Sequence, residues 1–303
     1  MLNFFKKNNI SKLFFFTLIG FFLITIAFHD KFIEISSYQK IIKIYDKTLN
    51  RILGIKNVSL KECLIPTVNN IPINSTVLIG HAYGSPNNSK ADDFISKKVL
   101  NFLQVNSKNI NKVIFTGDVF SVPSANKWSE LENIFDNKFE IHITPGNHDI
   151  SGSVAKKIFL ESKFGSNIYP YTINFKDSII ILDDSTSSNW NTSLDTIIKI
   201  KENKKKLNFV ARHNIPIEEL KAYVNSMEGI SQNFIKFSEF KKLMPKDKEI
   251  IWIIGDSGAF KSLPRIKCLQ KDNHKFVING IGDVENDKVT LIYQNKLFSY
   301  SLN

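Results

Sequence analysis

Five short apolar runs in this chain each stop at a small polar loop carrying His, Asp or Asn, and that repetition constrains the fold more than any other feature. Residues 77–79 lead into Gly80-His81-Ala82-Tyr83-Gly84, and residues 112–116 into Gly117-Asp118. Residues 139–144 lead into Pro145-Gly146-Asn147-His148-Asp149, residues 207–211 into Arg212-His213-Asn214, and Glu249–Ile254 into Gly255-Asp256. Between them, residues 91–103, 128–137 and Leu194–Glu202 space their apolar positions as helices do. Residues 171–175 and 178–183 read as a hairpin, and residues 276–278 and 289–293 as the last strands. Strands alternating with helices predict an α/β domain, in which ligands bind outside the carboxyl ends of the strands. One polar loop would say little, whereas five at strand ends predict a site.

Composition agrees with a globular chain. The 303 residues are 43% hydrophobic and 23% charged, enough for a substantial core. The formal charge of +11, from 40 Lys and Arg against 29 Asp and Glu, suits anionic lipid, nucleic acid or an anionic substrate. The basic residues are scattered, and the densest run, KENKKK at 201–206, reads as a solvated helix end. No aromatic–basic stripe accompanies them, so no nucleic-acid partner is expected. Cys63 and Cys268 cannot make a zinc knuckle or a CxxC redox pair. A disulfide, if the domain lies outside the cytoplasm, and two free thiols both stay open. Nothing in the sequence marks an oligomer interface.

The N-terminus bears on compartment. Residues 13–28 (LFFFTLIGFFLITIAF) hold no charge, with Lys6, Lys7 and Lys12 before them and Asp30 and Lys31 after. As a helix they span about 24 Å, which flanking residues extend toward a bilayer's hydrocarbon core. A cleaved signal would end in a small-x-small site, but Ala27 is followed by Phe28, His29 and Asp30. The expectation is an uncleaved signal anchor: residues 1–12 cytoplasmic, 13–29 transmembrane, 30–75 a juxtamembrane helix and linker, and 76–303 an extracytoplasmic domain.

The segment Gly146-Asn147-His148-Asp149, Gly117-Asp118 29 residues earlier, and His213 after an apolar strand resemble the motifs of the calcineurin-like metallophosphoesterases. The resemblance covers about residues 76–282. It implies a four-layer α/β sandwich, two mixed β-sheets flanked by helices, and one or two divalent transition-metal ions (Mn, Fe or Zn). It also implies that Asp118 bridges the metals, that Asn147 and His213 serve the second position, and that His148, oriented by Asp149, acts on the phosphate. The chemistry suits these residue types: a carboxylate can bridge two cations, and neutral imidazole binds borderline metals.

Two motifs depart from the family pattern. Its first is Asp-x-His, where this chain has His81 and Tyr83; its last is Gly-His-x-His, where this chain has Gly255-Asp256-Ser257-Gly258. One reading is a decaying site. The other is a rewired one, in which the carboxylate lost at 81 returns at 256; this is the expectation kept. Asp118, Asn147, His213 and Asp256 should then form the better metal position and His81 a weaker one, with Tyr83, Asn147 and His148 meeting substrate. His29, His142 and His274 read as structural, and Asp183 and Asp184 as loop formers.

The functional expectation is metal-dependent hydrolysis of a phosphomono- or diester, on a cell-envelope glycan or lipid if the domain faces outward. The alternative is a catalytically inactive scaffold on the same fold.

Overall fold

A computed structural model describes residues 60–85, 87, 93–186, 191–224, 234–257 and 265–302. The expected anchor at 13–29 and the juxtamembrane segment up to residue 59 lie outside the described residues, as does Gly258. No helix among the described residues is long and apolar enough to cross a membrane.

Twelve strands form two mixed sheets among the described residues. The smaller contains β2 (Ser75–Ile79), β3 (Ile110–Phe115), β4 (Glu140–Ile143), β11 (Lys288–Tyr293) and β12 (Lys296–Ser301), in the order β12-β11-β2-β3-β4. The larger contains β1 (Lys61–Glu62), β5 (Tyr171–Asn174), β6 (Ser178–Leu182), β7 (Leu207–Arg212), β8 (Glu249–Ile254), β9 (Ile266–Lys271) and β10 (His274–Asn279), in the order β1-β9-β10-β8-β7-β6-β5. β2, β3 and β4 run parallel, as do β6, β7, β8 and β10; the remaining pairings are antiparallel.

The central strands are largely apolar because both of their faces are covered. Along β8, Ile250, Trp252 and Ile254 face one core while Ile251 and Ile253 face another, following the two-residue period of a strand. β2 and β3 divide likewise: Leu78 and Ile114 pack between the sheets, and Val77, Ile79, Val113 and Phe115 pack outward. Over that outer face lie α1 (Lys97–Val105), α2 (Ala125–Phe135) and α3 (Gly152–Glu161). Over the other sheet lie α4 (Leu194–Glu202), a 3₁₀ turn at Glu218–Tyr223 and α5 (Phe237–Leu243). The result is the expected α/β arrangement of two mixed sheets with helices outside.

Local readings differ in instructive places. The helix expected from residue 91 starts at Lys97, because the Ser96 N–H is already given to the Ala82 carbonyl at 2.8 Å. α3, α5, β9 and β12 were not anticipated; β9 and β12 mix polar and apolar positions too evenly to stand out. Residues 60–75 are tied to both sheets: Cys63 is disulfide-bonded to Cys268 of β9, and the Ser299 N–H of β12 donates to the Pro66 carbonyl at 2.8 Å. The compact unit accordingly includes residues 60–75. The disulfide resolves the pairing that the sequence left open.

Candidate active site

The polar loops at the carboxyl ends of β2, β3, β4, β7 and β8 meet, because the strand ends are themselves cross-bonded. Thr116 N–H donates to the Ile79 carbonyl at 2.8 Å, Thr144 N–H to the Phe115 carbonyl at 2.9 Å, and His81 N–H to the Gly117 carbonyl at 3.1 Å. Gly255 N–H donates to the Arg212 carbonyl at 3.0 Å, and Asp256 N–H to the His213 carbonyl at 3.0 Å. His81 and Asp118 both hold φ of 56°, a left-handed conformation costly for residues with a Cβ and concentrated at functional sites. Gly117, at φ 88°, is required twice over, since a Cβ there would strike the His213 imidazole.

Three histidines share one arrangement. The ring Nδ1 of His81 lies 3.2 Å from the Gly84 carbonyl, that of His148 2.9 Å from the Ser121 carbonyl, and that of His213 3.1 Å from the Thr116 carbonyl. A carbonyl only accepts, so each Nδ1 carries a hydrogen and each Nε2 is left for the site. His81 Nε2 lies 3.8 Å from Asp118 Oδ2. His213 Nε2 lies 3.0 Å from Asn147 Oδ1, 3.5 Å from Asp118 Oδ1 and 4.0 Å from Asp256 Oδ1. His148 Nε2 accepts from the Tyr83 hydroxyl at 3.5 Å, and the Tyr83 ring lies 4.1 Å from that of His81. His81, Tyr83, Asp118, Asn147, His148, His213 and Asp256 therefore lie in one cluster.

The electrostatics follow from burial. His81, Asp118, His213 and Asp256 are each at most 3% exposed. Burial drops the His81 pKa to about 4, despite Asp118, so its ring is neutral near pH 7. Burial also works against charge on His213, but Asp118 and Asp256 carry its pKa net upward. Asp118 is pushed up by burial and pulled net below its ordinary value by His213, His148 and His81. Burial raises the Tyr83 phenol, which stays protonated.

The expected role of Asp149 is corrected. It does not orient the His148 ring, whose Nδ1 is held by Ser121. Its buried carboxylate instead accepts three backbone N–H groups: Asp118 at 2.8 Å, Val119 at 3.0 Å and Gly146 at 2.9 Å. It fastens the β3 loop to the β4 loop. His148 N–H then donates to Asp118 Oδ1 at 3.0 Å, aiming that carboxylate.

A neutral His81 turns its Nε2 lone pair toward a carboxylate oxygen, and His213 Nε2 faces three oxygens; both are environments that a cation satisfies. Among the described residues, no group of three or more His, Cys, Asp or Glu side chains is arranged to hold a metal ion as they stand. The residues fit a metal by donor chemistry and by the outer-shell carbonyls that fix their tautomers, rather than by closed coordination.

Two supports were missed in the sequence. Arg212, wholly buried, pairs with Asp183 at 2.9 Å and donates through Nε to the Asn214 carbonyl at 2.7 Å, bracing the turn that carries His213. Asp183 is thus part of an ion pair rather than a simple loop former. Asp283 accepts the Ser85 N–H at 3.1 Å and the Ser96 hydroxyl, holding the Gly84 turn. Only an Arg directly before His213 and a polar GIGD loop could have hinted at these.

The chain belongs to the calcineurin-like phosphoesterase family, which matches it over residues 90–254. Members of that family typically bind divalent metals and hydrolyse phosphoesters. The matched span takes in Asp118, Asn147, His148 and His213 and leaves out the two divergent places, residues 81–83 and 255–258. Among solved structures, the crystal structure of Chaetomium thermophilum Vps29 is similar at 13% identity and a TM-score of 0.33, covering 76% of this chain and 98% of that chain. No curated protein matches the sequence.

Proposed function

We propose that this chain is a metal-dependent phosphoesterase with a rewired site. The observation that carries the reading is the shared setting of His81, His148 and His213, each with Nδ1 on a backbone carbonyl and Nε2 turned inward. A chain keeping these residues only as relics would have no reason to hold three tautomers alike.

Asp118, Asn147, His213 and Asp256 would hold a divalent transition ion, with His81 toward a second, weaker position. Bound there, Mn, Fe or Zn supplies Lewis acidity that lowers the pKa of a bound water and neutralises phosphoryl oxygens. The chain's own part is orientation. Asp118 is aimed by the His148 N–H, and His213 is held by the Thr116 carbonyl. Tyr83 O–H and His148 Nε2 form a pair beside Asp118 that can meet a phosphoryl oxygen or the leaving oxygen. The Cys63–Cys268 bond supports an oxidising compartment, and with the apolar segment 13–29 it favours an outward-facing, membrane-attached domain. An envelope glycan or lipid phosphoester is the substrate class that such a placement would meet.

A second reading, an inactive scaffold, draws on the two altered motifs and on the absence of a closed ligand cluster among the described residues. Metal content per chain beside Asp118→Ala separates the two. About one or two transition-metal ions, lost in the variant, support the enzyme. Phosphoester turnover lost in His148→Ala, with the metal retained, completes it. No metal after exposure to Mn, Zn or Fe would make the scaffold the better reading.

A further inference from the structure

The folded unit carries its positive charge at the end away from the site. β6, β7, β8 and β10 run parallel, and His213 and Asp256 follow the carboxyl ends of β7 and β8. The opposite end is therefore built by the segments leading into these four strands. They are bonded to one another into a single surface. Glu249 N–H donates to the Lys206 carbonyl at 2.8 Å, Ile250 N–H to the Asn273 carbonyl at 2.9 Å, and the Asn273 amide to the Pro245 carbonyl at 2.9 Å. The Lys205 ammonium reaches the Lys176 carbonyl, and Lys206 pairs with Asp247.

Residues 176–177, 199–206, 241–249 and 271–275 contain twelve lysines and five carboxylates, a net of +7. Residues 60–303 as a whole contain 31 basic and 26 acidic residues, a net of +5. The rest of the folded unit is therefore net −2, and its whole positive excess sits at this end. Lys176, Lys201, Lys204, Lys206 and Lys246 are exposed, and no Phe, Tyr or Trp falls in these segments. The chain also enters here: β1 lies antiparallel to β9, with Lys61 opposite Gln270, so residue 60 lies beside the turn from β9 to β10.

We infer that this lysine face docks on an anionic phospholipid surface, leaving the candidate site turned away from it. Lysines without interleaved aromatics suit a diffuse phosphate surface rather than bases that must be stacked. The apolar segment 13–29 belongs to the stretch of chain that joins the fold at the same end, which favours lipid over nucleic acid. Docking needs no catalysis; it leans on the proposed membrane attachment only for proximity.

The test mixes the full chain with vesicles of phosphatidylcholine, with and without phosphatidylglycerol. Flotation reads attachment, and amine acetylation mapped by mass spectrometry reads docking. Each lysine near such a surface is worth about a fivefold factor in binding. Lys204, Lys206 and Lys246 should be acetylated more slowly with phosphatidylglycerol, and the difference should vanish in about 1 M salt, where the screening length is about 3 Å. Combining Lys204→Gln, Lys205→Gln and Lys206→Gln should weaken docking roughly a hundredfold and re-expose Lys246. Flotation with both vesicles but equal labelling would overturn docking and leave attachment standing. Flotation only with phosphatidylglycerol at low salt would support docking and remove the anchor. Equal protection of these lysines by a lipid-free oligonucleotide would overturn lipid as the partner.

Discussion

Breaking the Cys63–Cys268 bond is a perturbation whose size can be worked from the fold. The bond joins residues 205 positions apart, nearly the whole compact unit. Closing a loop of that length removes about 18 cal/mol/K from the denatured chain, or about 5 kcal/mol at 25 °C. The native side of the balance changes little, because the segment stays pinned without the sulfurs. Cys63 N–H donates to the Cys268 carbonyl at 3.0 Å, and Val68 N–H to the Ser299 carbonyl at 2.9 Å. The compactness of real denatured chains trims the figure, so the combined Cys63→Ala and Cys268→Ala variant should lose about 3–5 kcal/mol. Urea unfolding followed by tryptophan fluorescence measures it, since Trp128 and Trp252 are buried in the two outer cores. The slope against urea should rise as well, because the released chain exposes more surface. A loss under about 1 kcal/mol with an unchanged slope would refute the argument, since neither effect of an opened denatured chain would then be present.

Three further outcomes follow from buried polar groups. The Lys248 ammonium donates to the carbonyls of Ile200 at 2.6 Å, Lys201 at 2.8 Å and Asn203, closing the end of α4; Lys248→Met should cost about 1–3 kcal/mol in thermal unfolding. His274 accepts from the Trp252 indole at 3.2 Å, and burial lowers its pKa to about 4. The unfolded ring takes up a proton near its ordinary 6.5 while the folded ring does not, so stability falls as pH drops from about 6.5 to about 4, by about 3 kcal/mol. That slope should be shallower in His274→Gln when unfolding is measured across the range, and equal slopes would contradict it. Asp149→Asn leaves one oxygen for three N–H donors and should cost about 2–4 kcal/mol by denaturant melting, whereas His148→Ala should leave stability near wild type.

Much of the architecture was legible because the central strands are covered on both faces. A strand such as β8, buried on alternate sides by two cores, must be apolar at nearly every position, and such runs stand out against an Asn- and Lys-rich background. α4 was readable to its ends, since Ser193 caps it and Lys199 and Lys201 close its last turn. β12 was not, because residues such as Lys296, Ser299 and Ser301 interrupt its apolar positions on an edge strand. Residues 64–75 looked like linker for the same reason: a segment held by a disulfide and single backbone bonds needs no apolar run. What holds it is a pairing of positions 205 apart, which no local pattern reveals.

The site divides along the same line, between identity and partnership. That Asp118, Asn147, His148 and His213 gather could be read from where their strands end. What each one touches could not, and Asp149 shows why. Beside His148 in sequence, it looks like that histidine's partner, yet successive residues in a tight loop point in different directions. Its carboxylate turns inward to three N–H groups that would otherwise be buried without acceptors. Those bonds fix where the β3 loop sits against the β4 loop, and hence where Asp118 lies when the His148 N–H reaches it at 3.0 Å. The Asp149 carboxylate, which faces backbone rather than the histidines, therefore sets the position of the Asp118 carboxylate, which faces them. The rings of His148 and His213 are accordingly set from outside residues 81–84 and 256–258, because their geometry rests on Asp149 and on the backbone carbonyls of Ser121 and Thr116.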